Sequence, residues 1–365
     1  MSLIIRHVFS FLFSFLTAFY LLPLIASAAR RLRFLDEPNG TIKVHQAPVP
    51  YLGGLAVYIP FVATLGLVYP FENIILWLLL GISLLLFIGL IDDLKVLKPG
   101  QKFFGQVVAV LCFLKGGLSL KTVFFSSALN IFLSGFWMLS VINAFNLVDV
   151  MDGLSSLIAI VAATSFFVVA LFFKQYAYSM LLLAFLGPLL AFFLHNKPPA
   201  KIYLGDAGAM FIGGFLAAMP LLFPWSYQFL DAYYVPAIIL GIPLLEVSFL
   251  VVIRTWLGIP FFRGSPHHFC IYLRNKGWSK EMVLVFTGVM GSILSVCALL
   301  FLSKLITLPW LVVAGVVFLS VWTFIIFSPA LRIQPADVRD ERIVGAKRVV
   351  MNEPVAHEQQ EQVRH

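Results

Sequence analysis

Apolar residues in this chain run on continuously for long stretches, with short polar segments set between them. A helix needs about 20 mostly apolar residues to cross a bilayer. About eleven stretches meet that description, at roughly 7–29, 51–69, 74–91, 103–119, 127–146, 155–173, 178–195, 208–223, 234–255, 282–303 and 309–328. A membrane barrel would show alternating segments of about ten residues instead. The pattern therefore predicts an all-α integral membrane protein, a polytopic bundle of about 11 transmembrane helices over residues 1–328. Residues 329–365 are polar, rich in Gln and Glu and without periodicity, and read as a disordered cytoplasmic tail.

Composition agrees: 61% of residues are hydrophobic, 15% aromatic and only 12% charged, far from the averages of soluble domains. The triplet Ala26-Ser27-Ala28 resembles a signal-peptidase site, but the apolar stretch before it is too long for a signal h-region, so an uncleaved first helix is expected. Cys112, Cys270 and Cys297 show no metal-ligand spacing and read as packing residues.

Charge sets the expected orientation. Eleven spans divide the loops into two sets, and of the 25 Lys and Arg only Arg6, Lys115, Lys121, Lys174 and Lys304 fall on the first. Positive residues collect on the cytoplasmic side, so the N-terminus is expected outside and the tail inside. The net charge of +8 then serves topology and attraction to anionic headgroups of the lipid bilayer, with no nucleic acid implied.

The acidic residues share that side. Asp36, Glu37, Asp92, Asp93, Asp149, Asp152 and Asp206 all fall on the expected cytoplasmic loops or helix ends, against Glu72 and Asp231 on the other face. In "GLIDDLKVLKPGQKFFGQ", Asp92 and Asp93 are adjacent carboxylates that repel unless a cation or proton is shared; the alternative is a solvated interfacial loop. In "VINAFNLVDVMDGLSSL", Asn146, Asp149 and Asp152 are spaced i, i+3, i+6, within reach of one face of a helix end. Such oxygen groups suit a hard cation or polar ligand, with helix capping as the plainer reading. Asn143 has no assigned part.

"KIYLGDAGAMFIGG" places Asp206 between glycines that would let backbone N–H groups approach a phosphate at a helix start, or Asp206 is simply an N-cap. The loop "FRGSPHHF" carries Arg263, His267 and His268, which suit a phosphorylated ligand better than zinc. Lys43 and His45 stand in the first loop, "LDEPNGTIKVHQAPVPYLGG". Carboxylates and basic groups gathered beside lipid describe Mg²⁺-assisted chemistry on a phosphorylated lipid.

"LDEPN…KVHQAPVPYLGG", "GLIDD", "KFFGQ", "NAFNLVDVMDGLS", "GDAGAMFIGG" and "GIPFFRGSPHHF" follow one another in an order, from about residue 30 to 280, that resembles the polyprenyl-phosphate N-acetylhexosamine-1-phosphate transferases. The resemblance implies transfer of a sugar 1-phosphate from a UDP-N-acetylhexosamine to undecaprenyl phosphate in the bacterial inner membrane. It implies Mg²⁺, or Mn²⁺, held by Asp206 and Asn146, and Asp92 and Asp93 as the catalytic pair serving the lipid phosphate, with Asp92 the base. Lys43, His45, Lys102, Arg263, His267 and His268 would meet phosphate charge, and Asp149 and Asp152 the nucleotide or sugar. Direct attack on the β-phosphate is expected, an aspartyl-phosphate intermediate being the alternative.

The chain departs from the family's D-R-x-H-x-H-H pattern, with Phe262 for the Asp and Ser265 for the first His. Glu246 stands where many members have Asp, either as a functional intramembrane acid or as a partner of Arg254. This last-loop form looks closer to transferases of O-antigen or other surface-polysaccharide synthesis than to the peptidoglycan enzyme that uses UDP-N-acetylmuramoyl pentapeptide, the alternative within the class. A proton- or ion-coupled transporter is the alternative outside it, disfavoured because the acids cluster at one interface and no internal repeat is evident. The donor sugar and the oligomeric state, a homodimer included, stay open.

Overall fold

The computed structural model describes residues 2–36, 48–225, 230–260, 262 and 264–327. The first seven helices are α1 (Leu3–Arg31), α2 (Gly53–Val68), α3 (Asn73–Leu94), α4 (Pro99–Lys115), α5 (Ser127–Val148), α6 (Leu154–Phe172) and α7 (Tyr176–Asn196). They are followed by α8 (Gly205–Ala218), α9 (Tyr234–Ile239), α10 (Gly241–Trp256), α11 (Phe269–Asn275), α12 (Lys280–Leu302) and α13 (Leu308–Phe327). Each of the eleven apolar stretches is helical, which bears out the polytopic helical class. The tail from 329 lies outside the described residues.

The number of crossings is another matter. Among the described residues eight helices are long and apolar enough to span a membrane, nine if a bent pair is one span. α2 has 16 residues and α4 has 17. At 1.5 Å per residue these reach about 24–26 Å, short of a hydrocarbon core of about 30 Å. The bent pair joins Asp231–Ile239 to α10 at 77°. Gly241 and Pro243 account for the break, since a proline near a helix start donates no N–H to the preceding turn.

Sequence-local features set the helix ends. Ser2 accepts the N–H of Ile5 at 3.4 Å and caps α1, while Arg30 and Arg31 lie in its last turn and complement the helix dipole. The buried stripe Ser10, Ser14, Ala18, Leu22 and Ala26 recurs every four residues and packs α1 closely on α7, where a Cβ on Gly187 would collide with Ser14. Lipid tails are as apolar as leucine, so such close packing, rather than a hydrophobic drive, brings the helices together.

α8, continued to Leu222 by a 3-10 turn that brings it to spanning length, is the innermost helix, with 94% of Gly205–Leu222 buried. Small residues make that position possible: Gly54 of α2 and Gly89 of α3 lie against the backbone of Gly208 and Ala207, with no room for a side chain. Further along, Phe211 and Phe215 pack edge-on or tilted against Phe61 and Phe185, except that the Phe185 and Phe215 rings stack with centroids 4.0 Å apart. At the entry to α8, a two-residue strand β1 (Leu35–Asp36) pairs antiparallel with β2 (Val49–Pro50). Tyr203 N–H donates to Pro50 O at 2.8 Å, and Gly53 and Gly54 N–H donate to Tyr203 and Leu204 O, both at 2.9 Å. The end of the first loop is thus stapled to the segment that opens α8.

Candidate active site

Three helix ends meet at one place: the last turn of α3, the last turn of α5 and the first turn of α8. From α3 comes Asp92, only 6% exposed. Its Oδ1 accepts the N–H of Leu97 at 2.7 Å, and its Oδ2 accepts from Lys102 Nζ at 3.0 Å. Lys102, in the first turn of α4, also donates to Asn146 Oδ1 at 3.0 Å and lies 3.3 Å from Asp206 Oδ2. Asn146 closes the circuit by donating its Nδ2–H to Asp206 Oδ1 at 2.9 Å. One ammonium is therefore shared by two carboxylates and orients an amide, which offsets part of the charge held in a largely desolvated position.

Asp93, next in the chain, turns elsewhere. Its two oxygens accept the N–H groups of Asp206 (2.9 Å) and Ala207 (3.0 Å), capping α8 from a neighbouring helix. The first N–H groups of a helix have no partner of their own and favour an anion. Gly205 makes the approach possible: its φ is +74°, and a Cβ would stand 2.5 Å from Asp93 Oδ2. This corrects two expectations. Asp206 lies within the first turn rather than at the N-cap, which is Leu204. The N–H groups of Asp206 and Ala207 are taken by Asp93, so they are not open to a phosphate.

The face proposed for Asn146, Asp149 and Asp152 does not survive either. α5 ends at Val148, Asp149 is its C-cap, and the chain turns through Gly153 at φ +77°. Asp152 accepts from Lys280 Nζ at 2.8 Å and from Ala200 N–H at 3.3 Å. It ties the turn to the start of α12 and to the segment after α7. Asn143 acquires a clear part: its amide and that of Gln106 donate to each other, at 3.0 and 3.3 Å, joining α4 to α5 inside the bundle. Asn196, which the sequence did not single out, fixes the same turn by accepting Gly153 N–H and donating to Ile202 O, both at 2.9 Å.

A second polar group sits beneath the last loop. His268 Nδ1 lies 3.0 Å from Glu246 Oε1, and Phe269 N–H donates to the same oxygen at 3.2 Å. Arg254 donates through Nε to Ser265 Oγ at 2.9 Å. Glu246 is thus held by His268 and the backbone, and the described contacts of His267 and His268 do not reach the carboxylate cluster. Burial first, then the charges of Arg254 and His268, holds the His267 imidazole below its ordinary pKa. Burial, with Glu246 beside it, pushes Tyr272 up to about 12. Lys43, His45 and Arg263 lie outside the described residues.

The oxygen-only set of Asp92, Asn146 and Asp206 is donor chemistry that suits a hard divalent cation. No group of three or more His, Cys, Asp or Glu placed to hold a metal occurs among the described residues. The third protein oxygen would have to be the Asn146 amide, and Lys102 Nζ already marks a point within 3.3 Å of all three side chains. The residues therefore fit such an ion.

Residues 75–223 match the model of the family described as Glycosyl transferase family 4. Over 251 residues the chain is 34% identical to a phospho-N-acetylmuramoyl-pentapeptide-transferase of Listeria innocua, covering 62% of this chain and 75% of that protein. The chain belongs to glycosyl transferase family 4. This family 4 protein is also 28% identical over 320 residues to a probable undecaprenyl-phosphate N-acetylglucosaminyl 1-phosphate transferase of Bacillus subtilis, covering 85% and 88% of the two chains. A phospho-N-acetylmuramoyl-pentapeptide-transferase of Limosilactobacillus fermentum is 30% identical over 319 residues, with 80% and 96% covered. The family 4 match contains the whole of the Asp92, Lys102, Asn146 and Asp206 cluster, together with Asp93, Asp149 and Asp152; the histidine loop lies beyond it. The protein is a phospho-sugar transferase embedded in a membrane.

Proposed function

We propose that this protein transfers an N-acetylhexosamine 1-phosphate from a UDP-sugar to undecaprenyl phosphate, yielding a lipid-linked diphosphate sugar and UMP, at the start of O-antigen or other surface-polysaccharide synthesis. The observation that carries this reading is the convergence of Asp92, Asn146 and Asp206 on Lys102 where three helix ends meet. The B. subtilis relative, named as a probable undecaprenyl-phosphate N-acetylglucosaminyl 1-phosphate transferase, matches along 85% of the chain and supports this reading. A peptidoglycan role is the second reading, favoured by the higher 34% identity to the Listeria protein, though over only 62% of the chain.

An oxygen of the lipid phosphate attacks the β-phosphorus of the donor, forming one P–O bond. The bond from that phosphorus to the bridging oxygen breaks, and UMP departs with the electron pair. A lipid phosphate is already largely ionised at neutral pH, so no proton need be removed for the attack. Asp206 and Asn146, and Asp92 beside them, would hold Mg²⁺ or Mn²⁺. When bound, such an ion neutralises charge on the phosphoryl oxygens and on the leaving group. Lys102 balances the same carboxylates before substrate arrives and then meets phosphate charge. Asp92 faces the acceptor phosphate; Asp93 acts on the reaction by fixing the turn that bears Asp206. Asp149 would read the nucleotide or sugar from a turn that Asp152 holds in place, and Lys43, His45, Arg263, His267 and His268 would meet donor phosphates.

The charge bias supports a cytoplasmic position for this chemistry at a bacterial inner membrane, with residues 1–328 as the proposed catalytic domain. The test is direct: purified protein with Mg²⁺ and undecaprenyl phosphate is offered a panel of UDP-sugars, and UMP and the lipid product are measured. Release of UMP from a UDP-N-acetylhexosamine is expected. A folded preparation that releases none from any donor would sink the proposal, and turnover only with the muramoyl pentapeptide donor would hand it to the second reading.

A further inference from the structure

Glu246 is an ionisable residue at 1% exposure in an otherwise apolar stretch of α10. Burying a carboxylate away from water is expensive, so an acid there needs a task. Holding the loop in place does not explain it, because two other contacts already do so. Arg254 Nε donates to Ser265 Oγ at 2.9 Å, and the ring of Phe269 lies on Trp322 with centroids 4.4 Å apart. What Glu246 adds is a contact to a ring nitrogen: His268 Nδ1 at 3.0 Å. The same oxygen, Oε1, receives the N–H of Phe269 at 3.2 Å, which marks it as an acceptor. The proton of that contact therefore belongs to Nδ1. Which nitrogen of a histidine carries the proton is set by the partner of the other, and Nε2 is left as the nitrogen free to take up a second one.

We propose that Glu246 is a positioning residue for the transfer reaction: it holds the His268 ring with Nδ1–H directed at its own carboxyl group, so that Nε2–H of the imidazolium serves a phosphate oxygen of the nucleotide-sugar donor. The carboxylate behind the ring fixes its orientation, as second partners of functional histidines do. The phosphate then receives a charge-assisted hydrogen bond. The inference rests on the donor reading given above, and it assigns to α10 the part of aiming the histidine loop.

The test combines ring chemistry with kinetics. Protein labelled with ¹⁵N-histidine in lipid nanodiscs reports the protonated nitrogen of each ring, the His268 signals being those lost in His268→Asn. An Nδ1–H form of neutral His268 is expected in the unsubstituted protein and in Glu246→Gln, whose amide oxygen still accepts, and its loss is expected in Glu246→Ala. kcat/KM for the donor should fall about tenfold or more in Glu246→Ala, with Glu246→Gln recovering most of it. Unchanged kcat/KM in Glu246→Ala, or an Nδ1–H signal that persists there, overturns the assignment. If the alanine variant does not fold, loss of Nδ1–H in Glu246→Gln overturns it instead. Ring state is read without turnover, so a protein inactive on every donor would defeat the donor reading while the Glu246 contact is still judged on its own signal.

Discussion

Three side chains, Asp92, Asn146 and Asp206, share the single positive charge of Lys102. Replacing Lys102 by Met leaves two neighbouring carboxylates uncompensated, at a cost of about 2 kcal/mol for these partly shielded charge-assisted bonds. The melting temperature should fall accordingly, and added Mg²⁺ should raise it more in Lys102→Met than in the unsubstituted protein, since a ligand of the native state alone stabilises by mass action. An equal response in both, followed by thermal denaturation with Mg²⁺ or EDTA, would remove the carboxylates as the ion's site. His267 carries a second prediction. Its pKa is held below 6.5 in the native state, chiefly by burial, so between the two pKa values the unfolded chain binds more protons than the native one. Its contribution to stability is complete above about pH 6.5 and is lost as pH falls below that value. Melting temperature should drop between pH 7 and pH 5, and His267→Gln should flatten that part of the slope; an unaltered slope refutes the assignment. These residues differ in how far sequence revealed them. Asp92, Asp206 and Asn146 stand out because polar groups at the edge of apolar runs are costly without a purpose. Asp152 and Asn143 were opaque because their partners, Lys280 and Gln106, lie 128 and 37 residues away.

At the level of elements, the site depends on how closely α2 and α3 approach the first turn of α8. A Cβ on Gly89 would collide with the backbone of Ala207 and stand 2.5 Å from the Asp206 carbonyl carbon. Backbone cannot yield as a side-chain tip can, so Gly89→Ala must push α8 away from α3. Overpacking of this kind costs about 1–3 kcal/mol, and it moves Asp206 off Asn146, so turnover should fall further than stability does. Gly66, on the exposed far end of α2, has nothing within 4 Å of an added Cβ. Gly66→Ala should keep full turnover and stay within about 1 kcal/mol of the starting stability. Comparable activity in the two variants would show that the close approach does not govern the site. The eleven helical stretches were legible because runs of apolar residues admit little else in lipid. The bend between α9 and α10 was not, since residues 234–245 run apolar straight across it and only Gly241 and Pro243 hint at a break. Nor was the end of α5, where an i, i+3, i+6 spacing assumed a helix that stops at Val148.

Over the whole molecule, the open quantity is how many times the chain crosses. Length and composition support eight spans, or nine with the bent pair, among the described residues, while the sequence pattern contains eleven stretches. The difference lies in α2 and α4, and it decides orientation, because each helix that fails to cross exchanges the two sides for everything after it. α4 begins at Pro99, carries Lys102 in its first turn at the carboxylate cluster and ends at Lys115, and its lipid-facing side exposes Phe103, Phe104 and Leu111. A bilayer thins locally around a short span at modest cost, so 17 residues suffice if Lys98 and Lys115, near its two ends, extend their ammonium groups to opposite headgroup layers. The charge bias agrees, since only five of the 25 Lys and Arg stand on the other set of loops when all eleven cross. Single cysteines in a background lacking Cys112, Cys270 and Cys297 would test this with a membrane-impermeant maleimide on intact spheroplasts. Ser119→Cys, just past α4, should react from outside, and Lys98→Cys and Lys276→Cys only after the membrane is opened. Reaction of Ser119→Cys on the same side as Lys98→Cys would make α4 an interfacial helix. Reaction of Lys276→Cys from outside would reverse the histidine loop's side, parting it from the donor pool that the proposed reaction needs.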